Sequence, residues 1–192
     1  MITYEINDAL YINLTNRCSN NCCFCIRNHP EGMGFDLWLQ KEPSLPEIME
    51  DLKNPEKYGE VVFCGFGEPL ERFREVIEVC KYLKYKGARV RINTNGQANL
   101  IWGRNVVPEF KDFVDSISVS LNAKNAVDYV KLCRPDKGEA AFAAILDFAK
   151  ECVKYIPEVW ITVVDVISAH DIEICRNIAD SIGAHFRIRH YC

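Results

Sequence analysis

Four of the ten cysteines fall within eight consecutive positions of NLTNRCSNNCCFCIRN, residues 13–28. Cys18, Cys22 and Cys25 have the spacing C-x3-C-x2-C, and Cys23 adjoins Cys22. A loop this tight can wrap three thiolates around one face of a metal centre. Thiolate sulfur is soft and selects zinc, Cu(I) or an iron–sulfur cluster. A [4Fe–4S] cluster normally takes four cysteines; three leave one iron open to another ligand, which makes such a site chemical rather than structural. Cys18, Cys22, Cys25 and His29 also form a candidate Cys3His zinc tetrahedron. Cys23 would point away from its neighbour in an extended segment, so it is expected to pack rather than to ligate.

Other stretches carry chemistry of their own. GFGEPL (65–70) holds two glycines that let backbone approach a ligand closely, and Glu68 can accept a hydrogen bond from an ammonium. NTNG (93–96) is a polar turn. SVSLNA (118–123) places Ser118, Ser120 and Asn122 on one face of a regular strand. Arg187, Arg189 and Tyr191 share one face near the end of the chain, with His190 and Cys192 on the other. Arg189 suits bidentate pairing with a carboxylate. Arg27 follows the cysteine loop and can stabilise an anionic group beside it.

Elements that bring these stretches together can be read from the apolar pattern. Strands are expected at 9–14, 60–64, 89–93, 116–121, 159–164 and 185–190, rich in β-branched and aromatic residues. Helices are expected at 44–54, opening on the Ser44/Glu47 capping-box spacing, and at 70–86, 138–155 and 169–182. The stretch 97–113 is less regular because Pro108 interrupts it. Cys80, Cys152 and Cys175 lie on apolar helix faces and are expected in the core, as is Cys64. Alternating strand and helix predicts βαβ units with a parallel sheet. Six units make an incomplete version of the eight-unit barrel, or else an open doubly wound sheet, in one domain spanning 1–192. The polar stretches all follow strands, so either fold would gather them at the C-terminal rim of the sheet.

Composition sets limits on partners. Hydrophobic residues make up 48% and charged residues 26% of the 192-residue chain, with a net charge of −4. No general electrostatic attraction to nucleic acid or anionic membrane follows from that balance. No run of 18 apolar residues exists to span a membrane, and the N-terminus lacks a secretory pattern, so a cytosolic location is expected. Ten cysteines in that compartment read as ligands, nucleophiles or core residues rather than as disulfides.

The cysteine motif with Phe24 before its last cysteine, after a strand ending NLTNRC, resembles the signature of the radical S-adenosylmethionine (SAM) enzymes. That resemblance implies a partial (β/α)6 barrel. It also implies a [4Fe–4S] cluster on Cys18, Cys22 and Cys25, with SAM on the fourth iron. In that superfamily the reduced cluster cleaves SAM to methionine and a 5′-deoxyadenosyl radical, which abstracts hydrogen from substrate. GFGEPL resembles the family's GGEP motif, so Gly65, Gly67, Glu68 and Pro69 are expected to meet the methionine amino group; Phe66 stands where the second adjacent glycine is usual. By the same likeness Asn95, Ser120, Asn122 and Arg189 are expected to contact SAM, and Phe24 to lie near the adenine. Residues 162–168 should supply apolar contacts to adenine but lack the family's glycine-bearing motif, and no residue is assigned there.

NLTNRCSNNCCFCIRN, GFGEPL, RINTNGQANLIWGRN and SVSLNA together resemble the small TatD-associated radical SAM proteins. That likeness implies a TatD-family metal-dependent hydrolase as a functional partner. The superfamily likeness implies an external one-electron reductant such as flavodoxin or ferredoxin. The chain also resembles glycyl-radical activating enzymes and the compact 7-carboxy-7-deazaguanine synthases. No cysteine-rich domain follows the last strand, so no auxiliary cluster is expected. No lid remains to close the barrel mouth, which favours a protein or peptide substrate, or a partner that covers it. The readings from other classes are a non-catalytic iron–sulfur electron-transfer or redox protein and a zinc-stabilised binding module.

Overall fold

A two-residue turn starts the sheet. In a computed structural model that describes residues 1–28 and 34–191, Thr3–Ile6 (β1) and Ala9–Ile12 (β2) pair antiparallel across Asn7 and Asp8. Asn7 sits at φ 53°, a left-handed conformation that asparagine tolerates because its short side chain bonds locally. The sequence reading began the sheet at Ala9. β1 is an addition to it, a short, partly buried strand whose pattern is too brief to separate from a tail.

From β2 onward every strand runs parallel to the one before. Glu60–Phe63 (β3), Val90–Thr94 (β4), Ser116–Ser120 (β5), Glu158–Val164 (β6) and His185–Arg189 (β7) follow in strict chain order, and β1 does not pair with β7. Sequential order without a reversal rules out the doubly wound alternative and gives a partial (β/α)6 barrel. The six expected strands sit within one or two residues of those observed.

Helices lie between the strands: Leu45–Asp51 (α1), Phe73–Tyr85 (α2), Ala98–Trp102 (α3), Ala126–Cys133 (α4), Ala140–Tyr155 (α5) and Ala169–Ile182 (α6). Ser44 and Glu47 close the expected capping box at α1. Helix α2 begins later than expected, because Pro69–Arg72 form a 3-10 turn first. Pro108 likewise opens a 3-10 turn, Val107–Phe110, after the short α3. Helix α4 was not anticipated; it spans two turns and is capped by Asn125, which accepts from Asp128 N at 2.8 Å.

The two faces of the sheet differ. Ile12, Phe63, Ile92, Ile117 and Ile161 are fully buried in one core cluster with α2, α4, α5 and α6. Strand alternation turns the intervening residues to the opposite, concave face: Asn13, Arg91, Asn93, Ser116, Ser118, Thr162 and Arg187 among them. A polar barrel interior gives up apolar burial, so it marks the face that can hold a ligand. Cys80, Cys152 and Cys175 are buried as expected, whereas Cys64 is only half-buried.

Candidate active site

The cysteine loop leaves β2 at the rim and is fastened on three sides. Asn21 N donates to Cys133 O at 3.0 Å and Cys23 N to Leu132 O at 2.9 Å, tying the loop to the end of α4. Within the loop, Cys25 N donates to Cys22 O at 3.2 Å and Asn28 N to Cys25 O at 2.9 Å. Arg27 donates to Asn20 O at 3.3 Å and to Asn21 Oδ1 at 3.1 Å, bracing the turn from inside. Cys18, Cys22 and Cys25 are all half-buried. Cys23 is exposed, not packed as its position had suggested. Cys23 and Phe24 form a turn rather than an extended segment, so the alternation argument fails there.

The three thiols share an electrostatic setting. Burial pushes Cys18 up to about 12, with the Glu68 carboxylate adding to the effect. A hydrogen bond with Cys133 and then burial raise Cys22, and burial raises Cys25. The positive charge of Arg27 opposes the rise at all three. Thiols of this kind are neutral without metal, and any metal they bind must displace their protons.

The GFGEPL turn after β3 presses against the same loop. Glu68 N donates to Arg17 O at 2.8 Å. A Cβ on Gly67 would lie 2.2 Å from Thr15 O and 2.5 Å from Arg17 O. A Cβ on Gly65 would lie 2.1 Å from Asn13 Oδ1. Both glycines are therefore required by contact with the chain's own β2 loop. Phe66 turns away into a second small cluster with Tyr4 and Leu37 and meets Trp38 edge-on at 5.2 Å. The large side chain is accommodated because it points out of the site.

Glu68 is buried and bridges two strand ends. Its Oε1 accepts from Leu70 N at 3.0 Å and Thr94 Oγ1 at 2.7 Å, and its Oε2 from Asn95 N at 2.6 Å. Burial raises its carboxyl to about 7 although the three donors favour the charged form. Pro69 opens the 3-10 turn that Glu68 caps. Asn95 continues the chain of contacts: its Nδ2 donates to Ser19 Oγ at 2.8 Å and points to Cys18 Sγ at 3.9 Å.

The remaining expected site residues lie on the same rim with different partners. Asn122, at φ 57°, accepts from Val164 N at 3.1 Å and joins the ends of β5 and β6. Ser120 is half-buried on the concave face, and Arg189 is half-buried two residues beyond Arg187. Phe24 is half-buried and packs against the edge of the main core. His29 and Cys192 lie outside the described residues.

A buried polar network beneath the loop escaped the sequence reading. Asn20 Nδ2 donates to Tyr129 Oη at 2.8 Å, and Gln97 Nε2 to Asn20 Oδ1 at 2.7 Å and Tyr129 Oη at 3.3 Å. Tyr129 and Cys133 lie one helical turn apart on α4 and are both fully buried. The i,i+4 pair after an Asn-capped start was the available signal, but two turns of helix carry little periodicity.

These residues fit an iron–sulfur cluster with a ligand beside it. Three thiols sit on one braced loop, a glycine-lined turn abuts it, and Ser118 Oγ and Asn93 Oδ1 are buried without a hydrogen-bond partner among the described residues. Among the described residues no three His, Cys, Asp or Glu side chains meet closely enough to hold a single metal ion. A cubane binds each thiolate at a separate iron, so its ligands stand farther apart than those of zinc. A cleft of about 350 Å³ opens nearby between α4 and α6; its wall includes Leu132, whose carbonyl accepts from Cys23 N, and its Lys124 is paired with Asp171 at 2.6 Å.

The family model described as Radical SAM superfamily matches residues 12–176. A Pyrococcus furiosus protein named a tungsten-containing aldehyde ferredoxin oxidoreductase cofactor-modifying protein is 30% identical over 91 residues, 45% of this chain and 23% of its own. A Methanocaldococcus jannaschii protein, provisionally named a glycyl-radical enzyme activating enzyme, is 28% identical over 137 residues, 71% of this chain and 53% of its own. The chain thus spans about half or less of these relatives. Streptococcus suis SuiB bound to its precursor peptide SuiA superposes with a TM-score of 0.72 at 14% identity, over 99% of this chain and 40% of SuiB. Methylornithine synthase superposes with a TM-score of 0.64 at 14% identity, over 96% of this chain and 53% of that one. Both structures share the fold of the described strands.

Proposed function

The chain belongs to the radical SAM superfamily, and from that premise we propose that it is a radical SAM enzyme acting through Cys18, Cys22 and Cys25. The observation that carries this reading is the meeting of three separate turns at one rim. Glu68 N bonds the cysteine loop, Glu68 bonds Asn95, and Asn95 reaches back to Ser19 and Cys18. Cys18, Cys22 and Cys25 would hold a [4Fe–4S] cluster there, which with SAM would supply a 5′-deoxyadenosyl radical by one-electron reductive cleavage.

The chain's own residues hold and shape that site. Arg27 places a positive charge beside the thiolates, which favours their charged, iron-binding form. Gly65 and Gly67 let the β3 turn lie against the loop, exposing backbone where a methionine amino group would dock. Glu68 retains acceptor capacity on Oε2 for an ammonium, since a carboxylate oxygen has two lone pairs. Ser120 and Asn122 supply polar contacts at the end of β5, and Phe24 an aromatic edge for adenine; Arg189, at the end of β7, is left to the substrate rather than to SAM.

The four quoted motifs favour the TatD-associated subgroup, with a TatD-family hydrolase as functional partner and flavodoxin or ferredoxin as reductant. The single set of strands favours one radical SAM core domain in this chain. A protein or peptide substrate is supported by the open sheet edge at β7 and by the SuiB complex with its precursor peptide.

Anaerobic reconstitution with iron and sulfide, followed by dithionite and SAM, tests the reading. Native protein should release 5′-deoxyadenosine, and Cys22→Ala should release none. Full iron and sulfide occupancy with no nucleoside would replace this reading with an electron-transfer role. Adding a TatD-family hydrolase to the same reaction should change the yield; an unchanged yield removes that partner.

A further inference from the structure

Polar groups remain on the concave face that the rim contacts do not use. Asn93 lies opposite Ser118, Ser118 opposite Trp160, and Trp160 opposite His185. One step toward the rim, Ser120 lies opposite Thr162 and Thr162 opposite Arg187; beyond them, Val164 lies opposite Arg189. Alternation puts Asn93, Ser118, Trp160, Arg187 and Arg189 on the same side of the sheet.

Two observations show that this surface is incomplete by itself. Asn93 and Ser118 are 8% and 1% exposed, yet Asn93 Oδ1 and Ser118 Oγ have no hydrogen-bond partner among the described residues. Buried polar atoms are nearly always paired, and one that is not needs an explanation. The charges are unbalanced as well. Arg91 is paired with Glu60 at 2.7 Å and Arg89 with Glu158 at 2.8 Å, which uses the carboxylates of this face. Among the described residues no carboxylate lies at ion-pair distance from Arg187 or Arg189. The Arg187 guanidinium instead stacks over Trp160, 4.2 Å from the ring centroid. Burial, then the positive charges of Arg91 and Arg189, lower its affinity for its proton, and the more weakly felt Glu60 and Glu158 only partly oppose them. Cations crowded together in a chain of net charge −4 work against stability and suit an anionic ligand.

We propose that this strand face binds the substrate through an oxyanion group, a carboxylate or a phosphate, held by Arg187 and Arg189. Asn93 and Ser118 contact the polar body of the same molecule. Stacking on Trp160 fixes the plane of the Arg187 guanidinium, which presents its paired N–H donors to two oxygens at once. The proposal rests on the radical SAM reading of the rim and names its substrate class.

Calorimetric titration of the cluster-free protein tests it, with inorganic phosphate and succinate as separate probes at low salt. Saturable binding of at least one probe is expected. Phosphate alone identifies a phosphate ester as the source, succinate alone a carboxylic acid, and both together the shared chemistry. Arg187→Gln and Arg189→Gln should each weaken binding tenfold or more, and Arg187→Lys less. Arg89→Gln, at a paired arginine at the far end of the strands, should leave affinity at the native value. Melting curves of each variant identify any that fails to fold, and the remaining arginine variants then decide. Absence of saturable binding for both probes overturns the proposal. So does native affinity in both glutamine variants, or an equal loss in Arg89→Gln. The titration needs neither cluster nor SAM, so its failure is separate from failure of the 5′-deoxyadenosine assay.

Discussion

Gly67 shows how much of the site rests on single atoms. It carries no left-handed backbone angle; what excludes a side chain is the carbonyls of Thr15 and Arg17, at 2.2 and 2.5 Å from where a Cβ would stand. Both are backbone atoms and cannot rotate aside, so Gly67→Ala must displace the cysteine loop. Overpacking of this kind costs about 1–3 kcal/mol. Gly67→Ala should therefore lower the denaturation midpoint and the iron retained per chain after reconstitution. Native iron content with a native midpoint would show that the loop tolerates the shift. Phe66, one residue earlier, is the contrasting case: its side chain leaves the site for a separate cluster, so the departure from a glycine pair leaves the close approach intact.

At the scale of elements, α4 is the support the cysteine loop stands on. Its last turn accepts two backbone hydrogen bonds from the loop, and its Tyr129 hydroxyl accepts from Asn20 and Gln97. Tyr129→Phe would leave two buried amide donors short of an acceptor, at about 1–3 kcal/mol. The variant should lose stability by that order in urea titration and release iron faster in air than the native protein. Unchanged values in both measurements would make α4 a passive neighbour. Strands β2 to β7 were legible because each is a short β-branched run between turn residues. Helix α4 was not, because eight residues carry too few periods to outweigh chance; strand β1, no shorter than β2 or β3, lacks their apolar run.

The whole molecule feels the ionisation of one buried carboxyl. Glu68 joins the β3 and β4 ends within the sheet's rim, and burial raises it from an ordinary 4.5 to about 7. Between those values the folded chain holds a proton that the unfolded chain gives up. The associated stability is fully present below about pH 4.5 and is lost as pH rises through 7. The size is about 3 kcal/mol at one pKa unit per 1.36 kcal/mol. The stability difference between native protein and Glu68→Gln, followed by denaturant titration from acid to neutral pH, should narrow or reverse in that window. A difference independent of pH would mean that the three donors outweigh burial and keep Glu68 charged throughout.

Sequence alone narrowed the chemistry to a soft metal held by thiolates and the architecture to two parallel-sheet folds. C-x3-C-x2-C is a local pattern whose ligand type follows from sulfur, and strand–helix alternation leaves few folds to choose among. Even the gathering of GFGEPL, NTNG and SVSLNA at one rim followed, because parallel strands must end on the same side. Tertiary structure decided what each residue does there. That Gly67 faces the Thr15 carbonyl, that Glu68 spends its oxygens on the β4 end, and that Tyr129 on an unforeseen helix holds Asn20 all depend on contacts between segments far apart in the chain. The unpaired arginines on the concave face likewise became visible only once Glu60 and Glu158 were seen to be bound to Arg91 and Arg89. Charge balance is a property of neighbours in space, and a one-dimensional pattern does not record it.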